Sequence, residues 1–231
     1  MSAASAHTPP QGHEARVEEL LELFLAHEPF PGWSGAGLAV ALRAAGRDPA
    51  EGAIFFPGGG ADLLAEFAAL IDRRLTEAAR AIEETRLSRR IRALVLARFA
   101  LLRPYREAVR RAASHFLRPG ERAKALLFLA RRADLFWRLA GDRAVDFSWY
   151  TKRAELAAIY GASFLVWLDD PSEDDARTAA FLDRRLAGVA RLGQARAALT
   201  ARLGALRPSR LGGGAVELPG TAEGGAVSPS S

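Results

Sequence analysis

The chain has 231 residues, 49% of them hydrophobic and 26% charged, which is enough to bury a sizeable core and suits one or two closely packed domains. It contains no cysteine, which excludes disulfides and thiolate metal sites and makes a reducing cytoplasm the default compartment. No run approaches the roughly 20 apolar residues of a membrane-spanning helix, and a formal charge of +5 admits anionic partners without choosing among them.

The first residues, MSAASAHTPPQGHEAR, lack the apolar core of a signal peptide and the Arg-rich pattern of a transit peptide, so no cleaved leader is expected. Residues 1–12 and 207–231 are rich in Pro, Gly, Ser and Ala and read as disordered tails. Between them apolar residues recur at spacings of three and four, and the spacing predicts helices over 14–27, 35–46, 49–54, 61–86, 88–102, 104–117, 120–140, 147–169 and 173–206. Prolines 29, 31, 49, 57, 104, 119 and 171 punctuate them. The fold class is all-α. The first helices are short and the later ones long, which predicts a trihelical unit over 13–72 and a helical bundle over 73–206.

The order VEELLELFLAHEPFPGWSGAGLAVALRAAGRDPAEGAIFFPGGGADLLAEF resembles the head of TetR-type regulators, whose third helix enters the DNA major groove. Here that place holds Asp48, Pro49, Ala50, Glu51, Gly52, Ala53 and Ile54. Two acids repel phosphate, and Ala, Gly and Ile carry no side-chain group to read base edges. The reading keeps the helix-turn-helix-like fold without DNA binding, so nucleic acid is not an expected partner. Gly58, Gly59 and Gly60 precede a helix without the GK[ST] of a phosphate loop and read as a turn capped by Asp62.

The four histidines are scattered and give no metal-ligand spacing, so neither metal nor cofactor is expected. Glu18, Glu19 and Glu22, and likewise Glu83 and Glu84, read as solvated charges on polar helix faces rather than as catalytic pairs. The acidic run from Asp169 to Asp175 lacks calcium-loop spacing and reads as a helix start with Ser172 as cap. No acid, base or nucleophile constellation appears, and an enzyme is not expected.

In the segment DFSWYTKRAELAAIY, Trp149, Tyr150, Lys152 and Arg153 fall in the first turns of a helix, where two cations do not suit the helix dipole. Either Trp149 is core and the cations are solvated, or the cluster anchors another protein. The helices near 120–140 and 147–169 carry more apolar residues than one stripe needs, so either both faces are buried or one faces a cavity. Phe136, Leu156, Tyr160 and Phe164 are the large apolar groups placed to line such a cavity. From Arg177 to Arg210 eight arginines face a single acid, Asp183. There Leu192, Leu199 and Leu203 share a narrow stripe with Arg196 and Arg202 at its rims, which serves either an anionic bilayer surface or packing on the protein body.

Several segments together make the chain resemble the accessory lipid-binding family of ubiquinone (coenzyme Q) biosynthesis, the ninth member of that pathway's gene set. They are Gly32-Trp33-Ser34, FPGGGADLLAEF, AGDRAVDFSWYTKRAELAAIY, LDDPSED and FLDRRLAGVARLG. The resemblance runs from about Val17 to Gly193 and implies a TetR-like fold, a homodimer, and binding of an isoprenoid quinone or other lipid. It also implies assistance to the diiron hydroxylase of demethoxyubiquinone, with Asp146, Trp149, Tyr150, Lys152 and Arg153 matching the docking patch. A cytoplasmic protein, peripheral on the inner face of the bacterial membrane, is the location this implies. The alternative is a ligand-responsive transcription regulator of the same architecture.

Overall fold

A computed structural model describes residues 11–116, 122–142 and 148–205, and among these every regular element is helical. The elements are α1 (Gln11–Ala26), α2 (Gly35–Ala44), α3 (Ala50–Phe55), α4 (Gly60–Ala78), α5 (Leu87–Leu102), α6 (Arg106–Phe116), α7 (Arg122–Ala140), α8 (Ser148–Leu168) and α9 (Ala176–Ala205). Short 3-10 turns follow α4, precede α6 and precede α9. The long-helix spacing read from sequence is therefore realised, with one clear difference. The helix expected to reach residue 86 ends at Ala78 with a 3-10 turn to Ala81, because the Arg90 guanidinium from α5 donates to the carbonyls of Ala79 and Ile82 and so satisfies the open end of α4 early.

The short N-terminal helices are built around close backbone approaches. Ser34 caps α2 by accepting from the Gly37 N–H at 3.0 Å. A Cβ at Gly37 would stand 2.3 Å from the Gly32 carbonyl oxygen, and one at Gly60 would stand 2.3 Å from that of Trp33. Glycine is thus required where the turn before α2 meets the start of α4. Asp62 accepts from the Gly58 N–H at 2.6 Å, so the three-glycine turn carries its own carboxylate as expected.

Beside this junction, aromatic rings from α1, the loop before α2, α4 and the 3-10 turn before α6 pack together. Phe24, Phe30, Trp33, Phe67 and Tyr105 form a chain of contacts with centroids 5.1 to 5.6 Å apart. The Trp33 indole N–H donates to the Ala108 carbonyl of α6 at 2.7 Å, and Arg111 donates to the Phe30 carbonyl at 2.8 Å. These contacts join the trihelical segment to the bundle. Residue 72, the expected boundary, lies within α4, and two compact units are distinguished, Met1–Ala190 and Arg191–Ser231.

The surface charges are more ordered than the sequence implied. Glu18 and Glu22 pair with Arg74, Glu18 also with Arg73, and Glu19 with Arg16 and Arg47. These carboxylates keep the solvated face expected of them and find their partners because α1 packs beside α4 and next to α2.

At the start of α9 the expected cap is also corrected. Asp170, rather than Ser172 alone, terminates the helix: it accepts from the Thr178 N–H at 2.7 Å and from the hydroxyls of Thr178 and Ser172, while the Ser172 hydroxyl accepts from the Arg177 N–H. Burial pushes the Asp170 carboxyl up, but these donors outweigh it and hold its pKa at about 2 against an ordinary 3.8. A carboxylate held down in this way contributes stability that is complete above about pH 4 and is lost as pH falls toward 2. Asp170→Asn is expected to lower unfolding free energy at pH 7 by about 1 to 3 kcal/mol. In urea titrations across a pH series, the gap between variant and wild type should close between about pH 4 and pH 2.

Candidate functional site

The site grows from the antiparallel packing of α7 on α8. Residues of α7 meet α8 through the Trp137 indole N–H, which donates to the Lys152 carbonyl at 3.3 Å, and through Arg153, whose Nε donates to Asp134 at 2.9 Å. Gly161 gives the pair its closeness, since a Cβ there would come within 3.0 Å of Leu129.

The first turns of α8 carry the expected docking residues. Tyr150 is 72% exposed. Lys152 is half-buried and sets its ammonium 5.8 Å from the Trp137 ring, a cation-π contact. Arg153 differs from expectation: it is buried, and Asp134 holds it together with the exposed Arg138. It faces inward because α8 turns that side toward α7, so its part is to fix the hairpin that presents Tyr150 and Lys152. Asp146 lies outside the described residues, and Trp149 lies on α8 with its side chain outside the described side chains.

The expected pocket residues come together, but as a packed column of rings. Phe136, Leu156 and Tyr160 are at most 3% exposed, and Phe164 is partly buried. Tyr160 contacts Phe136 edge-on at 5.2 Å and stacks near Phe99 at 5.7 Å, and Phe99 in turn stacks on Trp167 at 5.5 Å. Around these rings α8 is packed on its inner side, while Ala158 and Leu165 on the same helix are exposed. Within the column, Ser163 Oγ and Trp167 Nε1 lie one turn apart on α8, fully buried and without a hydrogen-bond partner among the described residues.

Below the rings lies a polar network that the sequence reading did not single out. Asp72 on α4 accepts from Arg98 at 2.6 Å through one oxygen and from Arg132 at 2.6 Å through the other, and Arg98 donates to the Tyr160 hydroxyl at 3.0 Å. Arg98 is 1% exposed and Arg132 8%. Two guanidiniums thus share one carboxylate in the interior. Burial, and then the charge of Arg98, pushes the Arg132 guanidinium below its ordinary basicity. Tyr160, expected to be an apolar wall, is instead the joint between the aromatic column and this network. One signal in the sequence would have found Arg98: it occupies the same helical face as Ile91, Leu94, Val95, Phe99 and Leu102, all buried.

At the helix-turn-helix position, Glu51 of α3 is turned to Arg47 and Arg16, and Arg47 with Arg16 holds the Glu51 carboxyl below its ordinary range. Ile54 is 71% exposed on the same helix. Leu192, Arg196, Leu199, Arg202 and Leu203 all fall on α9 beyond Ala190, with side chains outside the described ones. Among the described residues no helix is long and apolar enough to cross a membrane, and no group of three or more His, Asp or Glu side chains is placed to hold a metal ion.

A solved TetR transcriptional regulator from Nitrosomonas europaea is similar in structure, with a TM-score of 0.58, 23% identity, and coverage of 78% of this chain and 99% of that one. The molecule is an all-α protein of TetR-like fold. The COQ9 family model matches residues 123–193, which hold α7, α8 and the first half of α9. The mitochondrial ubiquinone biosynthesis protein COQ9 of Homo sapiens is 30% identical over 211 residues, covering 82% of this chain and 66% of the relative. That of Rattus norvegicus is 30% identical over 192 residues, covering 79% and 61%. The Schizosaccharomyces pombe protein is 41% identical over 68 residues, covering 29% of this chain and 27% of the relative. The chain belongs to the COQ9 family, and it spans less than two thirds of the length of these curated relatives.

Removing Asp72 strands two buried guanidiniums. Asp72→Ala is expected to cost about 3 to 5 kcal/mol of unfolding free energy, measured by urea denaturation. The double variant Asp72→Ala/Arg132→Met should recover part of that loss.

Proposed function

We propose that this chain is a non-catalytic accessory protein of ubiquinone biosynthesis. In this reading it binds a polyisoprenoid quinone intermediate and presents it to a membrane-associated diiron demethoxyubiquinone hydroxylase. The observation that carries the proposal is its likeness to proteins named for ubiquinone biosynthesis over about four fifths of the chain, together with a family match centred on the α7–α8 hairpin.

Physical chemistry supports each part. A polyisoprenoid tail stays in a bilayer because each buried CH₂ contributes about 0.8 kcal/mol, so a hydroxylase acting on its head gains from a partner offering an equally apolar interior. The aromatic column supplies that interior. Ser163 Oγ and Trp167 Nε1 are buried donors lacking acceptors among the described residues, and a quinone ring offers carbonyl oxygens that would satisfy them. The rings must part to admit a ligand, and Phe164, partly exposed at the edge of the column, is where they begin to do so. Tyr150 and Lys152, with Asp146 and Trp149 beside them in sequence, form the docking patch, and Arg153 braces it from within. The chain works as a homodimer at the inner face of the bacterial membrane, where the Leu192, Leu199 and Leu203 stripe with Arg196 and Arg202 meets anionic headgroups. DNA binding is not part of this role, since α3 offers no base-reading side chain and its Glu51 is tied to Arg16 and Arg47.

Native mass spectrometry of the purified chain, followed by organic extraction, should recover an isoprenoid quinone or related lipid. A lipid-free protein that shifts a DNA duplex would overturn the reading. Tyr150→Glu is expected to weaken binding to the hydroxylase of the same organism by about thirtyfold or more, as loss of an interface anchor does. The thermal midpoint of the variant should remain that of wild type.

A further inference from the structure

An open cleft of about 400 Å³ lies beside the Asp72 network, lined by Asp72, Ala130, Arg131, Arg132, Asp134, Leu135 and Arg138. Its charge is unbalanced. Asp72 is shared by Arg98 and Arg132, and Asp134 by Arg138 and Arg153, while Arg131 is exposed and makes no hydrogen bond or ion pair among the described residues. Three guanidiniums, Arg131, Arg132 and Arg138, and two carboxylates, Asp72 and Asp134, therefore line the cleft. The deepest of those lining the cleft, Arg132, is more than nine-tenths buried, and its Nε has no acceptor among the described residues. Its Nη1 already holds Asp72 and its guanidinium lies against the Phe128 ring, so an anion entering the cleft would take the donor left over.

We propose that this cleft binds a phosphate group, with Arg132 at its base and Arg131 and Arg138 at its mouth. The planar donor fork of arginine matches phosphate oxygens, and the three guanidiniums of the lining outnumber its two carboxylates. Burial, and then the charge of Arg98, lowers the basicity of Arg132, and an incoming anion would offset both. The outward face of α7 continues from Arg131 to the exposed Leu127, about 6 Å away by helical rise. A phosphate on an apolar chain fits that sequence of surfaces, so a lipid headgroup is one source of the group and a free phosphate compound the other. Only the lipid source rests on the proposed function; the cleft does not.

The test uses the full chain and inorganic phosphate, followed by isothermal titration and thermal shift against chloride at matched ionic strength. Saturable binding and a rise in thermal midpoint are expected for wild type. Arg131→Glu and Arg138→Glu, both at exposed positions, should weaken phosphate binding by about tenfold or more. Arg89→Glu, at an exposed arginine outside the cleft, should leave it unchanged. Arg132→Gln should abolish binding, and its circular dichroism reports whether the fold survives. No effect of phosphate beyond that of chloride, or equal losses for Arg89→Glu and Arg131→Glu, overturns the proposal. Sedimentation with phosphatidylcholine vesicles containing phosphatidylglycerol assigns the source. If Arg131→Glu lowers vesicle binding in proportion to phosphate binding, the cleft takes a lipid headgroup; if vesicle binding is unchanged, it takes a free phosphate compound. A protein that binds phosphate yet yields no quinone on extraction would sink the proposed function and leave the cleft standing.

Discussion

One carboxylate, that of Asp72, holds two buried guanidiniums, and the bundle is organised around this sharing. Arg98 comes from α5, Arg132 from α7, and the hydroxyl that completes Arg98 comes from Tyr160 on α8. Four helices are thereby tied at one point by charge-assisted hydrogen bonds whose directions leave little freedom of register. A buried ion cluster of this kind adds little net stability over an apolar substitute, but losing one member is costly, so what it supplies is arrangement. The aromatic column above it is in register because Tyr160 belongs to both.

The same constraint shapes the surface. Because α7 must direct Arg132 toward Asp72, its neighbours Arg131 and Asp134 fall at the rim of the open cleft, and Asp134 is then in place to hold Arg153 from α8. That pair fixes the hairpin about one helical turn from Tyr150, which faces solvent. The interior polar network, the basic cleft and the proposed docking patch are thus three faces of one packing decision. On the other side, Trp33 and the rings around it fasten the trihelical segment to α6, which makes that segment a structural wall of the bundle.

Much of the fold was legible in the chain because helical periodicity and Pro or Gly punctuation are local signals. The Asp62 turn and the α8 start belong to this class. The end of α4 was not legible, since it depends on Arg90 reaching back from α5 to take two carbonyls. Asp170 was passed over as a cap for a related reason: its acceptor role toward Thr178 spans a strained turn in which Asp174 and Asp175 adopt positive φ, with Arg103 and Arg106 holding the carboxylate of Asp175. Among the site residues, Tyr150 lies exposed at a helix start, whereas Arg153, which the resemblance places in the same surface patch, is buried beside Asp134.

The sequence alone determined an all-α chain, the order and length of most helices, the likeness to a TetR-type head, and a third helix unsuited to reading DNA. Each of these follows from residue type and spacing within one segment. Only the tertiary structure decided that Asp72, Arg98, Arg132 and Tyr160 meet, and that the trihelical segment is fused to the bundle. It also decided that the apolar residues of α7 and α8 close into a ring column beside a basic cleft. Those outcomes depend on which faces of distant helices are brought together, and no local periodicity carries that information.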